Sequence, residues 1–254
     1  MAFRDAVVVI TLAGLAGAAN AADSDFPYGP PPSGSSLYAT SALAGDATVI
    51  FGGVSDDFDN FTYGVVAARV NIPMQNSWNF EPDIYYSRDS DSFTDFGGVA
   101  HFYKRLPDRS VGFYVGTRGF DGSLEVLAVG VEAETYAHPN SIIGGRVHYA
   151  STDWSFDWIQ GEAWWDYFYT PNRKVTGKLE AWVQTDDILG GEASVVLTQR
   201  FEGTQVSGFL GGLAGASDGF SWLEASAGLT WNFDAPGTTQ YEHDLMVPFS
   251  ENEL

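Results

Sequence analysis

The sequence predicts an all-β fold, a single up-and-down antiparallel transmembrane β-barrel of about twelve strands. Between residues 43 and 233, strand-like runs alternate polar and apolar positions with a period of two, which is typical of a sheet with two different faces. Many runs approach the roughly ten residues that a tilted strand needs to cross a bilayer. Tight turns and acidic loops alternate between the runs, as the two ends of such a barrel require.

Composition excludes several classes of function. The 254 residues carry a formal net charge of -21, which repels phosphate backbones, so we expect no nucleic-acid partner. The chain contains no cysteine, which excludes disulfides, thiolate metal sites and cysteine nucleophiles. Charged residues make up only 18% and aromatic residues 15%, which is unlike a disordered chain.

Residues 1–22 are predicted to be a secretory signal peptide. Arg4 supplies a positive start, residues 6–15 are apolar, and Ala19-Asn20-Ala21 fits the small-x-small cleavage rule. A buried core helix is the alternative interpretation of this segment. Residues 23–42 are interrupted by prolines and are expected to form a flexible periplasmic lead-in. The barrel is then expected over 43–233, followed by an acidic C-terminal tail over 234–254.

The individual strands are predicted from the alternation and from the turn residues that bound them. In residues 159–169, for example, Ile159, Ala163 and Trp165 share one face, whereas Gln160 and Glu162 share the other. A soluble β-sandwich is the alternative architecture, but its strands are usually shorter. The twelve predicted strands are 46–53, 61–72, 78–87, 94–105, 110–118, 124–136, 141–150, 157–169, 174–184, 193–201, 205–214 and 220–233.

The connections between the strands are of two kinds. Those after even-numbered strands are tight and mostly contain proline with Asn or Asp, as in Pro107-Asp108-Arg109 and Pro171-Asn172-Arg173. Those after odd-numbered strands are acidic, as in residues 56–59 and Asp186-Asp187. Because barrels of this type place short turns in the periplasm, we expect the acidic loops to face the outside of the cell.

The last predicted strand carries one continuous apolar face that ends on an aromatic residue. This face consists of Leu223, Ala225, Ala227, Leu229, Trp231 and Phe233. Here the chain resembles small bacterial outer-membrane β-barrel proteins of the porin-like class, whose closing strand has such a face and a terminal Phe. The resemblance implies the outer membrane of a Gram-negative cell and the barrel-assembly machinery as a partner. The sequence differs from that class in that residues 234–254 follow Phe233.

The polar face of the strands is expected to line the lumen. Hairpins centred on Gln75, Pro139 and Asn172 would place opposite charges face to face across neighbouring strands. These predicted charge pairs are Arg69 with Glu81, Glu132 with Arg146, and Asp166 with Lys178. The further lumen-lining residues are Asp83, Arg118, His148, Glu162, Glu180, Arg200 and Glu224. The pairs have two compatible interpretations, bracing of the barrel and a charged constriction that selects solutes.

We expect no enzyme, no cofactor and no metal site. The sequence lacks a phosphate-binding Gly-Lys-Ser/Thr loop and a zinc HExxH motif. His148 and Ser151 are three residues apart and therefore fall on opposite faces of a strand, which does not suit a hydrolase pair.

The predicted function is a narrow passive channel for small hydrophilic, cation-preferring solutes, or a structural component of the outer membrane. The cation preference follows from the excess of acids over bases on the inward face. Expected partners are outer-membrane lipid and lipopolysaccharide, with divalent cations bridging the acidic loops. Two alternatives remain: a non-channel accessory barrel for adhesion or surface polysaccharide export, and a barrel hydrolase.

Overall fold

The computed structural model describes residues 43–248, except 58, 122, 139, 153–156, 186–187 and 235–237. The predicted signal peptide and lead-in lie outside these residues. The strands are β1 (Ala44–Asp56), β2 (Asn60–Pro73), β3 (Trp78–Asp89), β4 (Thr94–Leu106), β5 (Arg109–Phe120), β6 (Ser123–His138), β7 (Ser141–Thr152), β8 (Asp157–Thr170), β9 (Arg173–Gln184), β10 (Leu189–Arg200), β11 (Val206–Ser217) and β12 (Phe220–Asn232).

The strands form a closed barrel in which each one pairs with its neighbours in sequence. The first and last strands close the sheet, in an antiparallel register that runs from Asp46 opposite Asn232 to Asp56 opposite Trp222. Closure leaves no free strand edge, so the backbone hydrogen bonds of the wall are satisfied without water. The predicted twelve-stranded up-and-down antiparallel barrel is confirmed.

The outer face of the barrel is apolar and the inner face is polar. On β6, Val129 and Val131 are 56% and 62% exposed, whereas the next residue, Glu132, is only 3% exposed. In a soluble sandwich, alternating apolar residues of this kind would pack inside. Their exposure around a closed sheet therefore fits a belt that contacts lipid.

The predicted and observed strands differ most at the start of β10. This strand begins at Leu189, whereas the sequence pattern suggested residue 193. The missed residues include Gly190 and Gly191, which are poor strand formers. Glycine is required at 190 because a Cβ there would lie 2.3 Å from the ring of Trp182 on β9. Packing of that ring therefore overrides local propensity.

A short helix follows the barrel. Helix α1 (Gln240–Met246) begins at a capping box, in which Thr239 accepts a hydrogen bond from the Glu242 amide and the Glu242 carboxylate accepts one from the Thr239 amide. Its Tyr241 and Leu245 pack in a buried cluster with Tyr136, Ile142 and Phe168 of the barrel. In the described part of the chain, no helix has the length and apolar character needed to span a membrane.

Helix α1 lies at the end of the barrel that carries the tight turns. We call this end the turn end; it also holds Ala44 and Asn232, where the barrel begins and finishes. We call the opposite end, with the acidic connections, the loop end. Val247 packs against Ala44, and both are buried. The sequence analysis expected only an acidic tail after Phe233 and did not predict this helix.

Candidate functional site

The inward faces of β3, β4 and β6 carry a buried cluster of ionisable side chains. Alternation along each strand points Glu81, His101 and Glu132 inward. His101 Nδ1 lies 2.9 Å and 3.0 Å from the two carboxylate oxygens of Glu132, and its Nε2 lies 3.6 Å from Asp83 Oδ2. Tyr103 donates a hydrogen bond to Glu81 at 3.3 Å. Paired groups thus fill this side of the bore.

A second cluster surrounds Glu162 on β8. The β6–β7 register places Glu132 opposite Arg146, as the turn-centred prediction has it. The Arg146 guanidinium, however, donates to Glu162 at 2.8 Å, on the other neighbouring strand. Lys178 donates to the same carboxylate at 3.2 Å and lies 3.7 Å from Glu180. Two cations therefore converge on Glu162, and they brace the wall across β7, β8 and β9.

The predicted pair of Arg69 and Glu81 is wrong. The β2–β3 register places Arg69 opposite Asp83, two positions further along β3. The prediction centred the hairpin on Gln75, whereas the observed pairs are centred on Asn76, inside the 3-10 segment Gln75–Ser77. Arg69 instead binds Asp46 on β1, with Nε at 2.7 Å and Nη2 at 2.6 Å from Asp46 Oδ2.

The predicted pair of Asp166 and Lys178 is also wrong. The β8–β9 register places Asp166 opposite Thr176, two positions from Lys178. The turn pairs Thr170 with Arg173, which shifts the register by one position, and a bulge at Tyr169 adds the second. Thr176 donates a hydrogen bond to Asp166, and Lys174 Nζ lies 3.3 Å from the same carboxylate. The cation that neutralises Asp166 is therefore Lys174, which the sequence analysis did not single out.

Further predicted lumen residues lie toward the loop end. Arg118 donates to Asp95 from Nε at 3.0 Å across the β4–β5 pair. Glu224 accepts a hydrogen bond from the Tyr63 hydroxyl across the barrel closure. The Tyr114 hydroxyl on β5 lies 2.7 Å from His148 Nδ1.

Two cavities follow one another inside the barrel, and strands β11, β12, β1, β2, β3 and β4 contribute residues to the lining of both. The outer cavity measures about 320 Å³, and the charged residues that line it are Asp89, Asp95, Arg118 and Glu224. The inner cavity measures about 110 Å³, and its charged lining residues are Asp46, Arg69, Asp83, Lys174, His243 and Asp244. Small side chains such as Ser226 and Thr230 on β12 leave the space that both cavities use.

An apolar patch, which we call the apolar collar, lies where the two cavities adjoin. We define it as Ile50, Val65 and Phe209, which share one cross-strand row with Gly228. Phe209 lines both cavities, whereas Ile50 and Val65 line only the outer one. A Cβ at Gly228 would lie 2.4 Å from the Phe209 ring, so the glycine lets this ring lie across the row. Apolar constrictions of this kind can restrict ion passage by excluding water.

A chain of ion pairs holds the C-terminal segment in the turn end. Arg200 donates two hydrogen bonds of 2.8 Å to Asp234. Arg200, which the sequence predicted to line the lumen, therefore anchors the segment that follows β12. His243 of α1 stands between two carboxylates, with Nδ1 2.9 Å from Asp234 and Nε2 3.3 Å from Asp46. Asp46 is in turn bound by Arg69, so the chain reaches from β10 to β2.

This chain of ion pairs shifts the pKa of two groups that lie outside the strands, His243 and Asp234. Burial by itself would lower the pKa of His243, but hydrogen bonds to Asp234 and Asp46 raise it above its usual value. Burial would likewise raise the pKa of Asp234, but hydrogen bonds from Arg200 and His243 lower it. Both shifts favour the charged forms of His243 and Asp234.

Polar contacts on the other side of α1 complete its attachment. Lys174 Nζ lies 3.0 Å from Asp244 Oδ2, and Ser207 hydrogen-bonds to the Gln240 side chain at 2.7 Å. The Gln240 amide donates to Asn172 Oδ1 at 3.2 Å. The sequence analysis missed this interface, although the capping-box pattern before α1 was a visible signal.

A closed antiparallel wall, an apolar outer belt and an ionisable lumen together define an outer-membrane β-barrel of the porin-like class. No family model matches the chain, and no curated protein matches it. Similarity to known proteins is therefore found at the level of solved structures.

Several solved porins share the fold. The KdgM porin, solved in complex with disordered oligogalacturonate, aligns with a TM-score of 0.53 and 10% identity, over 74% of this chain and 99% of its own. The NanC porin aligns with a TM-score of 0.57 and 11% identity, over 75% and 99%. An outer-membrane channel from Pseudomonas putida F1 aligns with a TM-score of 0.57 and 11% identity, over 83% and 99%. At these identities the similarity concerns the fold.

Proposed function

We propose that the protein is a narrow passive channel for small hydrophilic solutes. The observation that carries the proposal is the succession of two cavities inside the barrel, from the loop end to helix α1. A structural barrel needs no such space, since side chains alone can fill a small bore. The channel function of the structural neighbours supports the same proposal.

The charges around the two cavities favour cations. Six carboxylates line them, namely Asp46, Asp83, Asp89, Asp95, Glu224 and Asp244. Only three Lys or Arg side chains do so, namely Arg69, Arg118 and Lys174. An acidic oligosaccharide such as the oligogalacturonate bound by the KdgM porin meets an unfavourable field in such a lumen. We therefore propose small neutral or cationic solutes.

Conductance across planar lipid bilayers tests this proposal. The variant to compare with the full chain ends after Asp234, which removes α1 but keeps the partner of Arg200. We expect ion conductance from the shortened barrel, with a reversal potential on the cation side in a salt gradient. Folded barrels of both lengths that insert without conducting would overturn the channel function.

A structural role in the outer membrane is the second candidate. The observation that favours it is the filling of the barrel interior, by α1 at the turn end and by the buried Glu162 cluster near the middle of β7, β8 and β9. For either function, we propose lipid and lipopolysaccharide as partners, with divalent cations bridging the acidic loops, and the barrel-assembly machinery as the partner during folding.

A further inference from the structure

We infer that helix α1 is a built-in plug, which closes the turn end of the barrel at rest and must leave its place for solute to pass. The inference rests on the proposed channel function. The inner cavity ends against the helix, since Gln240, His243 and Asp244 are part of its lining. A solute that has passed the apolar collar therefore meets α1 before it can leave the barrel.

The resting state is the closed one because α1 buries apolar surface that release exposes. Tyr241, Leu245 and Val247 are between 0% and 5% exposed. Their partners on the barrel include Ile142 and Phe168, which are completely buried in the closed state. Exposure of this area costs free energy in proportion to the area, so the open state is the minor population.

Asp46 and Lys174 are the charged side chains of the barrel wall that pair with His243 and Asp244 of α1, and each keeps a second partner when α1 leaves. Asp46 keeps Arg69 when His243 departs, with Nε 2.7 Å away. Lys174 keeps Asp166 at 3.3 Å when Asp244 departs. Burial of an unpaired charge is costly, and this duplication of partners avoids that cost in the open barrel.

The connection to the barrel also suits reversible release. β12 ends at Asn232 and α1 begins at Gln240, so the seven residues 233–239 link them. Within that link, Asp234 remains attached to Arg200 through two hydrogen bonds of 2.8 Å. Helix α1 can therefore leave the mouth while its link stays anchored, and its return is an intramolecular step.

The absence of native cysteine makes a direct test possible. The double variant Ala44→Cys/Val247→Cys joins two residues that pack together at the mouth, through a disulfide or a short bifunctional thiol reagent. We expect cross-linking to reduce the open probability in planar bilayers several-fold, and reduction of the disulfide to restore it. The matched controls are the two single-cysteine variants under the same treatments, which should keep the open probability of the unmodified chain.

A second measurement does not depend on conductance. Thr48→Cys places a thiol in the inner cavity, and its labelling by a bulky water-soluble maleimide can be timed in the folded, detergent-solubilised barrel. We expect slow labelling in the full chain and labelling several-fold faster in the chain that ends after Asp234. Equal rates would overturn the seal that we assign to α1.

The outcomes separate this inference from the proposed function. A full chain that conducts equally well with and without the cross-link overturns the plug but leaves the channel intact. Barrels that never conduct, yet label faster when shortened, overturn the channel but support a removable plug. Conductance that falls on cross-linking and returns on reduction supports both.

Discussion

At the scale of single residues, His243 is the side chain through which pH acts on the C-terminal helix. It faces Asp46 from β1 and Asp234 from the segment after β12, and Asp244 lies on its own helix. Arg69 and Arg200 stand behind the first two carboxylates. The imidazolium is thus attracted by both elements that pack against it.

We therefore predict that α1 is released at alkaline pH. The pKa of His243 is raised in the folded protein, so its stabilising charge is fully present below the ordinary histidine pKa of about 6.5. That stabilisation is lost as pH rises through the raised pKa. Open probability in bilayers should rise several-fold over this alkaline range. His243→Gln, which cannot titrate, should abolish the dependence; an identical rise in that variant would contradict the mechanism.

The lowered pKa of Asp234 has the opposite consequence. Its stabilising charge is fully present above the ordinary aspartate pKa of 3.8 and is lost as pH falls through the lowered pKa of the folded protein. Helix α1 should thus be most firmly held between the ordinary aspartate pKa of 3.8 and the ordinary histidine pKa of 6.5.

Phe209 is the residue that we expect to limit the width of the pathway above the plug. Phe209→Ala in the chain that ends after Asp234 should raise single-channel conductance, because the ring that crosses Gly228 is removed. Leu210→Ala is the matched control, since Leu210 is the next residue and is 60% exposed on the outer face. Equal conductance in the two variants would place the narrowest point elsewhere.

The sequence predicts the face on which a lumen residue lies better than the partner that it binds. Period-two alternation assigns Glu132, Arg146 and Glu162 to the inside, and the structure agrees. Long side chains in a lumen nevertheless reach either neighbouring strand, so Arg146 binds Glu162 although its register partner on β6 is Glu132. Alternation contains no information about that choice.

At the scale of elements, hairpin registers depend on turn details that the sequence does not show. The β6–β7 prediction has the observed register. The β2–β3 pairing differs because its hairpin is centred on Asn76, and the β8–β9 pairing differs because of its turn together with a β-bulge. Both shifts are even in number, so they keep each residue on its predicted face. Helix α1 was missed because seven residues are too few for a helical period to be visible.

The outer belt of the strands gives a graded prediction for stability. Val131, the ninth of the sixteen residues of β6, is 62% exposed, and Val131→Arg should cost roughly 2–4 kcal/mol in unfolding free energy near the bilayer midplane. Leu189→Arg, at the first residue of β10, should cost only about 0–1 kcal/mol near the interface. Reversible unfolding in lipid vesicles measures both.

Leu127→Arg and Leu197→Arg should give intermediate losses. Both leucines are on the outer face, but the observed strand bounds place them away from the strand centres. Equal losses for all four variants would show that the depth of each residue in the bilayer is assigned incorrectly.

At the scale of the whole molecule, the orientation in the membrane decides which compartment meets the plug. We predict that the loop end faces outside and the turn end faces the periplasm, because short turns are periplasmic in barrels of this kind. Epitope tags at Asp57 and Asp108 report the two ends on intact cells. Asp108 lies in an exposed turn, with 64% of its side chain exposed. Surface labelling at Asp108 and not at Asp57 would reverse the orientation.

The path through the molecule also determines which charges set ion selectivity. Arg146 and Glu162 brace the opposite wall and line neither cavity, whereas Glu224 lines the outer one. In the chain that ends after Asp234, Glu224→Gln should therefore move the reversal potential in a salt gradient toward zero, because it removes one of six lining carboxylates. Arg146→Ala removes a positive charge from the opposite wall and should leave the value unchanged. Glu180→Gln is the matched control, since Glu180 carries the same charge change and lies outside both linings. A larger shift from Arg146→Ala than from Glu224→Gln would move the ion path to the wall of β7 and β8.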